Sequence, residues 1–356
     1  MDVSKEHASL PEYESCWKIK RPEAIDTVKI EANGGSWIQL ENGRIVEYYV
    51  CGSKSPDATV LVDCHGGNCT GQMFSLFTES VSKCMETELN IKVISPTQPG
   101  FGYSTIQPER KIKDWPKTDL LPILEKENVT DFIVSGVSFG TPHALATALE
   151  FAEKKDGRTM QCHAMGLRVP YLGSESCREL KLKNHFSLGY TSKSANTTML
   201  GNKMAKFFTS MQKNPSHAFD TPGCMMKTFM ECLNPGALGK IEKLICEHPE
   251  LMKQLRVGMD KSVEFTTQGI LYNYATETLI DHGFDVRNIP KELPLVVWYA
   301  KDDEDCPPSH GSWLASGEHF TNVKSERIFE GYGHVGAAFL DFPLYLEELT
   351  KAMIIV

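Results

Sequence analysis

The residues with the clearest chemical potential are those of Gly136-Val137-Ser138-Phe139-Gly140, where a serine stands between two glycines. An apolar run beginning at Asp131 precedes this stretch, and a helix-like segment, 141–154, follows it. This order predicts a buried strand, a tight turn and a helix, with the Ser138 hydroxyl raised above the edge of a sheet. The glycines allow strand and helix to approach closely, and the free N–H groups at the helix start favour negative charge. Ser138 is therefore a candidate nucleophile; the alternative is a serine that only caps the helix.

The elements that must position this serine alternate along the chain. Near-continuous apolar runs, typical of strands buried on both faces of a parallel sheet, are separated by segments with helical spacing. The predicted strands are 59–64, 91–96, the run from 131, 163–170, 293–300 and 326–330. The predicted helices are 72–88, 114–127, 141–154, 310–319 and 343–354. Such alternation indicates an α/β protein with a mostly parallel sheet and helices on both faces.

Antiparallel strands are predicted before this alternation begins. Residues 27–31 alternate apolar and charged side chains, as a half-buried strand does. Residues 36–40 and 44–50 flank Asn42-Gly43, which is a strong hairpin signal. Residues 1–25 are polar and are expected to form a loosely attached arm.

Between residues 171 and 288 the alternation stops, and the pattern becomes helical. Apolar residues recur at spacings of three and four within 199–211 and 238–245, and Pro222 and Pro249 mark helix starts. We therefore predict a core made of 26–170 and 289–356, with 171–288 inserted as a helical lid. The lid contains eight of the 14 methionines, which suits either an adaptable apolar pocket beneath it or packing within the lid.

Composition excludes several classes of protein. The formal charge is −9, from 37 basic and 46 acidic residues, so neither nucleic acid nor an anionic membrane is an expected partner. The first residues lack the apolar segment of a secretory signal, and the 11 cysteines have no Cys-x-x-Cys spacing. We therefore expect a cytoplasmic protein with reduced thiols. The acidic cluster 302–305 has no histidine nearby at the spacing of a metal site.

Five stretches make the chain resemble the α/β-hydrolase superfamily. Each follows a predicted strand, at the sheet edge where ligands bind in open α/β folds. They are His65-Gly66-Gly67, Pro99-Gly100-Phe101-Gly102-Tyr103-Ser104, Gly136–Gly140, 303–307 and Gly333-His334. The resemblance implies the α/β-hydrolase fold and an enzyme that needs no metal or organic cofactor. The epoxide-hydrolase and haloalkane-dehalogenase branches use an aspartate nucleophile, so Ser138 indicates the serine branch.

The resemblance also implies roles for three residues, in the family's chain order of serine, acid and histidine. Ser138 would attack the substrate, His334 would take and return the proton, and Asp303 would hold the imidazole in one tautomer. Asp303 has the family's spacing to the proline that follows it; Asp302 and Asp305 are the neighbouring alternatives. Because the base must be neutral, activity is expected to rise through a pKa of roughly 6–7.

The oxyanion formed by attack on a carbonyl needs preplaced hydrogen-bond donors. The resemblance implies the N–H of Phe139 and one from the loop after His65, at Gly67 or Asn68. The residues predicted to contact the substrate are His65, Asn68, Phe101 and Trp298. For His65 the alternative is structural, namely anchoring of its loop by hydrogen bonds.

Together these features predict a serine hydrolase that cleaves a small or medium apolar ester or lactone through an acyl-enzyme. A peptidase, thioesterase or acyltransferase with the same triad remains an alternative, because substrate choice depends on the lid. A ligand receptor built on a hydrolase scaffold is the alternative from another class of protein.

Overall fold

One sheet of eight strands forms the centre of the protein. The computed structural model describes residues 25–67, 69–76, 79–107, 110–153, 159–182, 237–262, 282–303 and 305–353. The strands are β1 (Ser36–Gln39), β2 (Ile45–Gly52), β3 (Thr59–Cys64), β4 (Ile91–Pro96), β5 (Asp131–Val137), β6 (Gln161–Arg168), β7 (Leu295–Ala300) and β8 (Val323–Phe329). Their spatial order is β1-β2-β4-β3-β5-β6-β7-β8. The first two pairs in this order are antiparallel and the others are parallel, which confirms the predicted hairpin and the mostly parallel sheet.

Helices pack on both faces of the sheet. The helices within the described residues are α1 (Thr27–Ala32), α2 (Glu79–Lys83), α3 (Leu121–Lys126), α4 (Thr141–Phe151), α5 (Ser174–Glu179), α6 (Ala237–Glu247), α7 (Pro249–Ser262), α8 (Pro308–Ala315), α9 (Gly333–Phe339) and α10 (Phe342–Met353). Successive side chains of a strand point to opposite faces. Val62 and Val134 accordingly join a core cluster with residues of α4, whereas Leu61 and Ile133 join a second cluster with residues of α10. The central strands are apolar throughout because both of their faces are covered.

The register of the parallel strands brings their carboxyl ends to one edge. Gly136 of β5 pairs with Cys64 of β3, and Val137 pairs with Arg168 of β6. Arg168 pairs in turn with Trp298 of β7. The loops that follow β3, β5, β7 and β8 therefore begin at neighbouring points of the same sheet edge.

Three predicted elements need correction. The predicted helix 114–127 is divided into a 3₁₀ segment, Ile112–Asp114, a π-helical turn, Pro116–Leu120, and the helix α3. Residues 27–31 form helix α1 rather than a strand, because the Asp26 side chain accepts the Val28 N–H and caps a helix whose buried residue is Ile30. The predicted helix 72–88 is divided into a 3₁₀ segment, Gly71–Leu76, the helix α2 and a π-helical turn, Cys84–Glu88. Helix α9 was not predicted, since seven residues with two glycines give little helical signal.

The structure describes part of the region that is predicted as an inserted lid. Helix α6 confirms the helical spacing within 238–245, and α7 begins at Pro249 as predicted. The predicted arm up to residue 24, the face within 199–211 and the start at Pro222 lie outside the described residues. Leu255 of α7 packs against Cys69 and Met73, so this helix contacts the core beside the loop after β3.

Candidate active site

A sharp turn after β5 carries Ser138. Its backbone has φ +53°, in the left-handed region that serine rarely occupies. The turn is possible because the two flanking glycines have no side chain at points where backbone atoms approach closely. A Cβ on Gly140 would lie 1.9 Å from the Cys64 carbonyl oxygen, and one on Gly136 would lie 2.9 Å from the Gly140 carbonyl oxygen. The predicted role of these glycines in the strand-to-helix turn is therefore confirmed.

Three side chains from distant parts of the chain meet at this turn. The His334 Nε2 lies 3.0 Å from the Ser138 Oγ, and the His334 Nδ1 lies 2.8 Å from the Asp303 Oδ2. Ser138 follows β5, Asp303 follows β7, and His334 is the second residue of α9, after β8. The structure thus brings together the residues predicted to act as nucleophile, acid and base.

Asp303 is held by the backbone of its own loop. Its Oδ1 accepts the N–H groups of Asp305 and Cys306, both at 2.9 Å, while its Oδ2 contacts His334. The residue is 3% exposed. Of the two alternatives, Asp302 pairs with Lys240 at 2.8 Å, and Asp305 contributes its N–H to Asp303. The contact with His334 therefore selects Asp303 among the three aspartates.

The electrostatics of the imidazole follow from this arrangement. Burial acts to lower the pKa of His334, but the adjacent Asp303 carboxylate outweighs burial and holds the pKa well above its ordinary value of 6.5. The direction of this shift is towards stronger binding of the proton than in a free imidazole. The imidazolium formed by proton transfer from Ser138 would be stabilised at this position.

Cys306 is a further side chain at the site, which the sequence predicts only as one of the reduced thiols. Its Sγ lies 3.9 Å from the Ser138 Oγ. Burial raises the pKa of this thiol to about 11, although His334 acts in the opposite direction. The thiol is therefore protonated at neutral pH, and the anion that raises the pKa of His334 is Asp303. Cys306 forms part of the wall next to the nucleophile.

The loop after β3 passes directly beside the serine. A Cβ on Gly66 would lie 3.2 Å from the Val137 carbonyl oxygen and 3.4 Å from the Ser138 Cβ. Phe139 begins the turn into α4, with its ring against Tyr171. This placement suits the predicted oxyanion donors at Phe139 and Gly67. The alternative donor, Asn68, lies outside the described residues.

Three residues that are predicted to contact the substrate have structural partners within the fold. His65 accepts the Gln98 N–H at its Nε2 and contacts the Gly66 carbonyl oxygen through its Nδ1, so it anchors the loop, as its alternative role required. Phe101 is fully buried against the His65 ring. Trp298 is fully buried in the core, and its Nε1 donates to Glu348. All three are buried, and the predicted contact of these residues with a substrate stays a prediction.

Helix α6 connects the two loops that carry the acid and the base. Lys240 donates to the Asp302 carbonyl oxygen and pairs with the Asp302 carboxylate, both at 2.8 Å. Tyr332 lies two residues before His334, and its hydroxyl donates to Glu247 of α6. The sequence gives no local signal for these contacts, since α6 is about 60 to 90 residues away from both loops along the chain.

The side chains around the acid and the base also resemble the ligand set of a cation site. Possible ligand atoms of Asp303, Asp305 and His334 lie within 4.8 Å of one another. Sequence spacing missed this histidine because it reaches the acidic loop from another strand. Both Asp303 oxygens, however, already accept hydrogen bonds or contact the imidazole. The geometry therefore fits proton transfer to and from Ser138 better than cation binding.

The chain was compared with known proteins. No protein-family model matches it, and neither does any curated protein. Its structure is similar to an esterase from a Rhodococcus species (15% identity, TM-score 0.58, covering 90% of this chain and 99% of that one). It is also similar to an α/β-hydrolase enzyme from a deep-sea metagenome library (15%, 0.54, 88% and 96%). A third similar structure is the enol-lactonase from Burkholderia xenovorans (12%, 0.53, 90% and 100%).

A helix that crosses a bilayer must be long and apolar. Among the described residues, no helix has the length and apolar character that crossing a bilayer requires.

Proposed function

The chain has the α/β-hydrolase fold, and from this fold and the contacts of His334 we propose that the protein is a serine hydrolase. The observation that carries the proposal is the pair of short contacts from one imidazole, to Ser138 on one side and to Asp303 on the other. A serine hydroxyl needs a base within this distance. The base in turn needs a partner that fixes its tautomer.

The reaction proceeds in two halves. The Ser138 Oγ forms a bond to the substrate carbonyl carbon while its proton passes to the His334 Nε2. The bond to the leaving alcohol then breaks, and the alcohol oxygen takes that proton. In the second half, water gives a proton to His334 and adds to the acyl-enzyme carbonyl. The bond to Ser138 breaks, the acid leaves, and the serine regains its proton.

The negative oxygen formed in each half requires donors beside the serine. The N–H of Phe139, at the start of the turn into α4, and that of Gly67, in the loop next to Ser138, are proposed to supply them. One such donor contributes about 3–4 kcal/mol to transition-state stabilisation. The positive end of α4 adds to this stabilisation.

An apolar acyl group suits the surroundings of the site. Cys69, Met73 and Leu255 form a buried cluster, with Val335 and Phe339 packed against it. Cys69 follows the loop next to the serine, Val335 follows His334, and Leu255 belongs to α7. Small or medium carboxylic esters and lactones are therefore the proposed substrates. The similarity to an esterase and an enol-lactonase supports the same class.

A fluorophosphonate probe tests the proposal, because it reacts with serines activated in this way. We expect one adduct, on Ser138, that is absent in Ser138→Ala and present in the control Ser312→Ala, which removes an exposed hydroxyl on α8. Folded wild-type protein without an adduct would favour the ligand receptor. A panel of p-nitrophenyl esters of increasing length, with lactones and peptide amides alongside, then identifies the reaction and the size of the acyl group.

A further inference from the structure

Arg168 is a buried cation at the carboxyl end of β6. Its residue is 1% exposed. The guanidinium donates to the carbonyl oxygens of Ala337, from Nε at 3.3 Å and Nη2 at 3.0 Å, and of Leu340, from Nη2 at 2.6 Å. These carbonyl groups lie at the end of α9, the helix that carries His334 in its first turn. A cation is favourable there because helix carbonyl groups at the carboxyl end lack internal partners.

The surroundings of Arg168 are built to hold this charge. Its guanidinium carbon lies 5.3, 4.6 and 4.9 Å from the ring centres of Trp298, Phe342 and Tyr345. Arg168 and Asp63 both line one small cavity. Burial raises the pKa of Asp63 to about 7, while hydrogen bonds from serines and the charge of Arg168 act to lower it. A buried charge is costly unless it is hydrogen-bonded, and the guanidinium meets this condition through the carbonyl oxygens of Ala337 and Leu340.

The register of the sheet links this cation to the nucleophile. Arg168 is the β6 partner of Val137, the residue before Ser138. The backbone of Arg168 is therefore fixed next to the strand end that carries Ser138. Its side chain binds the carboxyl end of α9, the helix whose first turn contains His334. Helix α9 has only seven residues, and helices of this length depend on tertiary contacts for their position.

We propose that Arg168 is a positioning residue for the triad. It holds α9 by its last carbonyl groups and so sets the distance between the His334 Nε2 and the Ser138 Oγ. The inference rests on the proposed function for its catalytic consequence. The placement of His334 against Asp303 is a structural consequence that can be measured without any reaction.

Arg168→Lys is the sharpest variant, because it keeps the positive charge beside Asp63 but loses the planar group that reaches two carbonyl oxygens at once. Arg44→Lys is the matched control. Arg44 is also buried and pairs with Asp119 through two hydrogen bonds of 2.9 Å, but neither residue belongs to an element that carries the triad. Both variants weaken a buried guanidinium contact.

Two measurements on the full chain decide the matter: the rate of fluorophosphonate labelling and the pKa of His334 from NMR titration. In Arg168→Lys we expect labelling to slow by about 10- to 100-fold, the cost of a small displacement of catalytic groups. We also expect the pKa of His334 to fall towards 6.5. With an ester substrate, kcat should fall while KM changes little. Arg44→Lys should alter none of these quantities.

Unchanged labelling and an unchanged pKa in Arg168→Lys would overturn the inference, and so would equal effects in both variants. If wild-type protein is not labelled at all, the proposed function fails and the NMR titration alone decides the role of Arg168. Should Arg168→Lys not fold, the double variant Asp63→Asn/Arg168→Met removes both buried charges together. Its labelling rate and its His334 pKa are expected to fall in the same way, and wild-type values would refute the role of Arg168.

Discussion

Replacing Asp303 by asparagine tests the proposed mechanism at its acid. The carboxylate uses one oxygen, Oδ1, for two backbone N–H groups and the other, Oδ2, for the His334 Nδ1. An amide has one acceptor and one donor end. Its oxygen is best placed against the two N–H groups, so its NH₂ faces the imidazole. His334 must then accept at Nδ1 and carry its proton on Nε2, where it faces the Ser138 hydroxyl.

An imidazole with its proton on Nε2 cannot accept the proton of Ser138. We therefore expect kcat to fall by about 10⁴-fold, the usual effect of enforcing the wrong tautomer. This loss corresponds to about 5–6 kcal/mol, at 1.36 kcal/mol for each factor of ten. The pKa of His334 should fall as well, because the carboxylate that raises it is gone.

The assay is the initial rate of ester hydrolysis across pH, together with an NMR titration of His334. Asp302→Asn is the matched control, since Asp302 pairs with Lys240 rather than with the imidazole. The control should keep kcat within a few-fold of wild type, as expected for a partly exposed ion pair. A folded Asp303→Asn protein that retains more than about a tenth of wild-type kcat would refute the assignment of the acid.

Four further predictions concern the same site. The kcat/KM of the wild type should rise with pH through a pKa above 6.5, because His334 acts as a base only when neutral and Asp303 raises its pKa; a limb below pH 6 would contradict this. The ion pair of His334 with Asp303 stabilises the fold below pH 6.5. Its contribution to the free energy of unfolding should disappear as the pH rises through the folded-state pKa of His334. Gly140→Ala should lower the free energy of unfolding by about 3 kcal/mol or more, measured by urea denaturation, because its Cβ would lie 1.9 Å from the Cys64 carbonyl oxygen; a loss below about 1 kcal/mol would show that the turn can relax. Lys240→Met should reduce kcat by only a few-fold, and 1 M NaCl should do the same to the wild type, since the ion pair with Asp302 is partly exposed.

Sequence reasoning found the residues of the candidate site because they lie in local patterns. The turn around Ser138 needs glycine on both sides. The strand before Asp303 is a continuous apolar run, and the strand before His334 alternates between more and less exposed residues. These features place three loops at one sheet edge, where their side chains were expected to meet. The contacts of His334 agree with that expectation.

The remaining features depend on partners far away in the chain. Nothing in the sequence around Cys306 distinguishes it from other buried cysteines. Only the fold places its Sγ 3.9 Å from the Ser138 Oγ. Arg168 ends an apolar strand, and nothing nearby in sequence indicates the helix end that it holds. Trp298 is fully buried in the structure, and its sequence context does not show this because the direction of its side chain depends on the twist and register of the sheet.

Residues 27–31 show a second reason for error. Alternation over five residues fits a half-buried strand, but it also fits a short helix whose Ile30 is buried. The decisive feature was Asp26, whose side chain caps the helix. Short apolar patterns without attention to the preceding cap do not separate the two structures.

The contact between His334 and Ser138 joins residues 196 positions apart. It can form only after β5, β6, β7 and β8 have all paired in their final order, since each lies between or beside the two residues in the sheet. Pairing across such long separations is slow in folding. Reactivity of the serine should therefore return last during refolding, after secondary structure has recovered, and a probe of Ser138 would report completion of the whole sheet.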